Sequence, residues 1–138
     1  FESKDGNDII ATLTKYTQQF PDGIHRLKSN YYLADVLYKV KEFDRAIAYY
    51  EVVLEEEQNE YSEVALSKLS QIYLNKDQFN NALPLLDRLE QEAYVTENVL
   101  FAQSNLMKGY YETEAFDLAI EYAKKNGNIQ IKLIATKI

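Results

Sequence analysis

The stretch EFDRAIAYYE, residues 42–51, sets a phenylalanine three residues ahead of an alanine where an amphipathic run begins. It returns as QFNNALPLLD over 78–87 and as AFDLAIEYAK over 115–124. The alanines Ala46, Ala82 and Ala119 are 36 and 37 residues apart. A fixed period of this size marks a stacked repeat. Other positions fall into line with the alanines. Three residues earlier stand Phe43, Phe79 and Phe116, and four later stand Tyr50, Leu86 and Ala123. Nine before are Leu37, Tyr73 and Tyr110; thirteen before are Leu33, Leu69 and Leu106. Apolar residues recur at three and four, as on one face of a helix. Each unit therefore reads as two helices joined by a turn. The alanine has a steric reason, because two helices cross there and a larger side chain would push their axes apart. The phenylalanine then fills the wedge between one hairpin and the next.

Composition agrees. Apolar residues at 46% and charged residues at 27% are ordinary for a folded chain, and 138 residues suffice for one domain with a continuous core. Four glycines and two prolines are too few for a sheet protein's turns, so the chain leans all-α. Lack of cysteine excludes disulfides, thiolate metal sites and a cysteine nucleophile. No apolar run approaches the roughly 18–20 residues of a membrane span. A net charge of −7 argues against nucleic acid as a partner. The acidity is concentrated: residues 42–97 hold 13 acidic and 4 basic side chains, and the flanking segments are each near neutral. That middle is a solvated acidic surface or a docking face for a basic partner.

The turn segments KVKEFD, LNKDQF and YETEAF carry polar residues, with Asp77 a candidate helix cap. Helices are expected near 7–20, 24–40, 43–57, 61–75, 78–92, 97–112, 115–125 and 129–138, about eight in all. Ile9, Leu13 and Tyr16 are the expected stripe of the first. Pro84, lacking an N–H, predicts a late start or a bend in the helix that holds it.

The pattern L-A/S-x-x-L/Y…F-x-x-A-x-x-x-Y/L resembles the tetratricopeptide repeat, a helix–turn–helix unit of about 34 residues. The usual tryptophan is replaced by Asn30, Leu66 and Gln103, and the usual glycine by Ala34, Ser70 and Met107. Full repeats fall near 27–60, 63–96 and 100–127, with partial ones over 7–21 and 128–138. Residues 1–138 then form a single repeat domain, a fragment of a longer chain. The variant period and the lead-in FPDG resemble a bacterial subgroup that includes cell-envelope proteins. That resemblance leaves the compartment open between periplasm, envelope and cytoplasm.

The resemblance implies a right-handed superhelical solenoid whose mechanism is shape: a scaffold binding a peptide or protein, with first helices lining the concave face. Carried over position by position, the groove residues are Lys28, Tyr31, Asp35 and Tyr38, then Lys68 and Gln71, then Phe101, Asn105, Lys108 and Tyr111. Val64, Ser67, Leu74 and Ser104 are carried over in the same way. The Lys/Asn/Arg set with which chaperone-docking repeats clamp a peptide carboxylate is missing, since Tyr31, Asp35, Lys68, Phe101 and Asn105 stand there. The alternative is a structural spacer within a larger assembly. The C-terminal stripe Ile129, Ile131, Leu133, Ile134 and Ile138 would support weak self-association.

No catalytic, cofactor or metal set is legible. His25 is the only histidine and has no second histidine or cysteine to work with. The run Glu55-Glu56-Glu57 reads as a solvated helix end, because adjacent helical residues point about 100° apart. With neither acid, base nor nucleophile convergent in the pattern, the chain reads as a non-enzyme.

Overall fold

A computed structural model describes the backbone of residues 2–137 and the side chains of 7–129. The described residues form seven α-helices and no strand. They are α1 (Glu2–Gln19), α2 (Arg26–Lys39), α3 (Phe43–Glu55), α4 (Ser62–Asn75), α5 (Phe79–Glu92), α6 (Thr96–Glu112) and α7 (Phe116–Lys137). The chain divides into two compact units, residues 1–65 and 66–138, with the division inside α4.

In the first unit α2 packs on α1 and α3. Leu33, Ala34 and Leu37 are buried on α2, and Ala46, Tyr50 and Val53 on α3. Among the described side chains of α1 the buried residue is Ile10, whereas Ile9, expected in the stripe, is about half exposed. The 36-residue register explains the correction: it sets Ile10, not Ile9, level with Ala46. In the second unit α6 packs on α5 and α7. Ala82, Leu86, Leu106 and Tyr122 close its core, with Tyr73, Leu74, Leu83, Phe101, Met107 and Tyr110 against them. The repeat alanines are buried, Ala46 and Ala82 completely and Ala119 to 6% exposure.

The three turns within hairpins share one construction. Lys41, Asp77 and Glu114 have φ of 66°, 55° and 65°, in the left-handed region. Each lets the chain fold back so that the next amide reaches a carbonyl five residues earlier. Glu42 N–H donates to Leu37 O at 2.8 Å, Gln78 to Tyr73 at 2.9 Å and Ala115 to Tyr110 at 2.7 Å. The left-handed residue's own N–H donates to Tyr38, Leu74 or Tyr111 O, each at 3.0 Å. These are Schellman closures, which satisfy the free carbonyls at a helix end. Asp77 thus ends α4 and does not cap α5, whose cap residue Gln78 makes no side-chain capping bond.

Two helix boundaries depart from expectation. The helices expected over 115–125 and 129–138 are one, α7. The segment Asn126-Gly127-Asn128 suggests a break, yet Gly127 does not take positive φ. Asn126 instead donates from Nδ2 to Leu100 O at 3.1 Å, tying the continuing helix to the start of α6. Of the expected self-association stripe, Ile129 is half-buried, and the apolar side chains at 131, 133, 134 and 138 lie outside the described residues. Pro84 does not delay its helix, since α5 begins at Phe79 in register with Phe43 and Phe116. Its missing N–H leaves Asn80 O without the usual donor, and both residues are exposed, so water can replace it.

Candidate partner-binding surfaces

On α2, Lys28 is exposed, with Nζ 5.6 Å from the centroid of the Tyr32 ring. Tyr31 is half-buried because Tyr61 stacks on it, centroids 4.5 Å apart and planes 19° apart. Tyr32 meets both rings, at 5.8 and 6.3 Å, so three tyrosines form one cluster. One turn on, Asp35 pairs with Lys39 at 3.2 Å. Both line a cavity of about 590 Å³ between α1 and α2, with Ile9, Leu13, Tyr32 and Val36 as its apolar wall. Tyr38 turns inward against Phe43 at 5.0 Å and Tyr50 at 6.4 Å. It belongs to the α2–α3 packing.

In the second unit Lys68 and Gln71 are half-buried on α4, and Gln71 Nε2 donates to Asn75 Oδ1 at 2.9 Å. Phe101 packs against the core cluster. Asn105, Lys108 and Tyr111 come together at a groove of about 690 Å³ between α6 and α7. Ser104 and Met107 join them from α6, and Phe116, Ala119, Ile120 and Ala123 from α7. The groove is open and apolar: Tyr111 is 61% exposed, Phe116 49% and Ile120 56%. Sequence reasoning omits the α7 wall because it assigns ligand contact to first helices alone. The signal was present in Phe116 and Ile120, which the repeat sets level with Phe79 and Leu83.

Polar residues replace the apolar repeat pattern at several buried points. Asn30 and Gln103 are buried where the repeat ordinarily has tryptophan. Asn30 Nδ2 donates to Arg26 O at 2.7 Å, and Gln103 Nε2 to Glu90 Oε2 at 3.0 Å. The Tyr122 ring stacks on Tyr110 at 5.7 Å, and its hydroxyl donates to Asp87 Oδ1 at 3.5 Å. Burial, then the carboxylates around them, raises the pKa of both phenols.

The Tyr50 hydroxyl is fully buried and finds no hydrogen-bond partner among the described residues. Burial, then the charge of Asp35, raises its pKa above the ordinary 10.0. The unfolded chain therefore loses this proton first as pH rises. Stability from keeping the phenol neutral is complete below pH 10.0 and declines above it. Tyr50→Phe removes an unsatisfied buried oxygen, so at neutral pH it is expected to be neutral or stabilising by up to about 1 kcal/mol. Urea unfolding at pH 7 and above pH 10 checks both effects. A variant less stable at pH 7, or with the wild-type alkaline decline, refutes them.

Among the described residues no three His, Asp or Glu side chains are placed to hold a metal ion, and no helix is long and apolar enough to cross a membrane. A family model for the tetratricopeptide repeat-like domain matches residues 1–135. No curated protein matches the chain.

Proposed function

The chain belongs to the tetratricopeptide repeat-like family, a protein-interaction architecture, and from that premise we propose that it binds a peptide or protein partner through its first helices. The observation that carries the proposal is the meeting of Asn105, Lys108 and Tyr111 beside exposed apolar side chains at the α6/α7 groove. Apolar area there gives affinity, a few polar groups fix orientation, and an exposed tyrosine is a suitable anchor. The tyrosine cluster of α2, with Lys28 and Asp35, is a second contact surface in the first unit. The acidic segment 42–97 favours basic ligands, with an attraction that salt weakens.

Selection from a random-peptide library against the intact chain tests this reading. Enriched peptides are expected to bind Tyr111→Ala and Lys108→Glu about tenfold more weakly, with helicity unchanged. These positions are chosen because Tyr111 and Lys108 are exposed, whereas Tyr38 and Phe101 also support packing. Lys28→Glu and Tyr32→Ala probe the first unit. A library that yields no specific binder, or binders indifferent to all four variants, defeats the proposal and leaves a spacer.

A further inference from the structure

In the second unit one groove is filled and its repeat-related counterpart is open. In the filled one, Ala82 and Leu86 of α5 share a buried cluster with Leu106 of α6. Gly109 makes the approach close, since a Cβ there would stand 2.8 Å from Leu83 Cδ2 and 3.9 Å from Phe79 Cδ1. Thirty-seven residues later, α7 offers Phe116, Ala119, Ile120 and Ala123 at the positions of Phe79, Ala82, Leu83 and Leu86. These four form the α7 wall of the 690 Å³ groove. Phenylalanine and alanine are retained, leucine becomes isoleucine, and only Leu86 is replaced by a markedly smaller residue.

We infer that the α6/α7 groove docks an amphipathic α-helix of a partner protein, one that presents glycine where α6 presents Gly109 and leucine three residues before it. The inference rests on the interaction reading above and gives the ligand a conformation and a register. Its warrant is continuity with the α5/α6 interface, whose wall the groove repeats. The small residue is required more strictly here than there. Ile120 is branched at Cβ and stiff at χ1, so it yields less readily to an added methyl than Leu83 does. Lys108 at the rim favours an acidic side chain on the edge of the incoming helix. A second copy of this chain is a poor donor, because its α6 already buries Ala102 and Leu106.

The probe is a labelled peptide with the sequence of residues 96–112, which carries the α6 face. Fluorescence anisotropy with the intact chain should show saturable binding, and circular dichroism a gain of helix in the peptide. Gly109→Leu in the peptide, or Ile120→Glu in the protein, should weaken binding about tenfold or more. Ile120 is exposed, so this variant is expected to keep its fold, which far-ultraviolet dichroism verifies. Absence of saturable binding, or binding that survives both changes, overturns the inference. So does concentration-dependent self-association abolished by Ile120→Glu, which would make a second copy the occupant. If the α6 peptide fails while library peptides still depend on Lys108 and Tyr111, the helix site is wrong and the interaction reading stands. If neither binds, both fall.

Discussion

Ala82→Leu is expected to lower stability by about 1–3 kcal/mol, the cost of forcing extra methylene groups into a packed core. Ala82 has no solvent exposure and lies between Leu86, Leu106 and Tyr122. Its helix is held against a neighbour that comes close enough for Gly109 to meet Leu83. A leucine at 82 has no free volume to enter, so α5 must move outward or neighbouring side chains must leave their rotamers. The same change at Ala119 has a different surrounding. That alanine is 6% exposed and borders the open α6/α7 groove. Ala119→Leu can place its side chain in the groove and is expected to cost well under 1 kcal/mol. Urea midpoints of the two variants decide the matter. Equal losses would mean that the groove beside Ala119 is not open in solution, and an unchanged Ala82→Leu would mean that the crossing is not tight.

That contrast separates what the sequence shows from what it hides. The phenylalanine–alanine register located three helix starts to within one residue of Phe43, Phe79 and Phe116, because side-chain volume at a crossing is written directly in residue type. The family resemblance, carried over position by position, names Asn105, Lys108 and Tyr111, and these three line one groove. Side-chain direction did not follow. Tyr31, Tyr38 and Phe101 are named by the same carry-over, but each has an apolar neighbour within reach. Tyr61 stacks on Tyr31, Phe43 meets Tyr38, and the Leu106 cluster takes Phe101. An aromatic ring turns towards such a neighbour, and these neighbours stand on other elements: Tyr61 just before α4, Phe43 on α3, and Ala82 and Leu86 of the cluster on α5. The continuity of α7 was illegible for a similar reason. Gly127 between two asparagines is a local helix-breaking signal, and the bond from Asn126 to Leu100 is a tertiary one.

Glycine at the left-handed turn positions should stabilise the chain, although glycine usually weakens a helical protein. Lys41 and Glu114 hold φ of 66° and 65°, where a Cβ crowds the following carbonyl at about 1–2 kcal/mol. Glycine removes that strain but adds freedom to the unfolded chain worth about 0.5–1 kcal/mol, leaving a gain of about 0.5–1 kcal/mol per site. The two sites should not gain equally. Glu114 stands just past the C-terminus of α6, where the helix dipole disfavours negative charge, whereas Lys41 at the end of α2 is favoured by it. Glu114→Gly should therefore stabilise more than Lys41→Gly. Asp77 should gain least from relieved strain, because aspartate tolerates the left-handed region better than lysine or glutamate. Lys41 and Glu114 share no hydrogen-bond partner in these turns and lie in different units. Their double variant should therefore gain about 1–2 kcal/mol by addition, with net charge unchanged. Glu51→Gly, an exposed position inside α3, is the control and should lose about 1 kcal/mol. Urea unfolding of the four variants tests the turn directly. Destabilisation at both turn sites would mean that these residues do not hold positive φ in solution. A larger gain at Lys41 than at Glu114 would remove the dipole argument while leaving the backbone one intact.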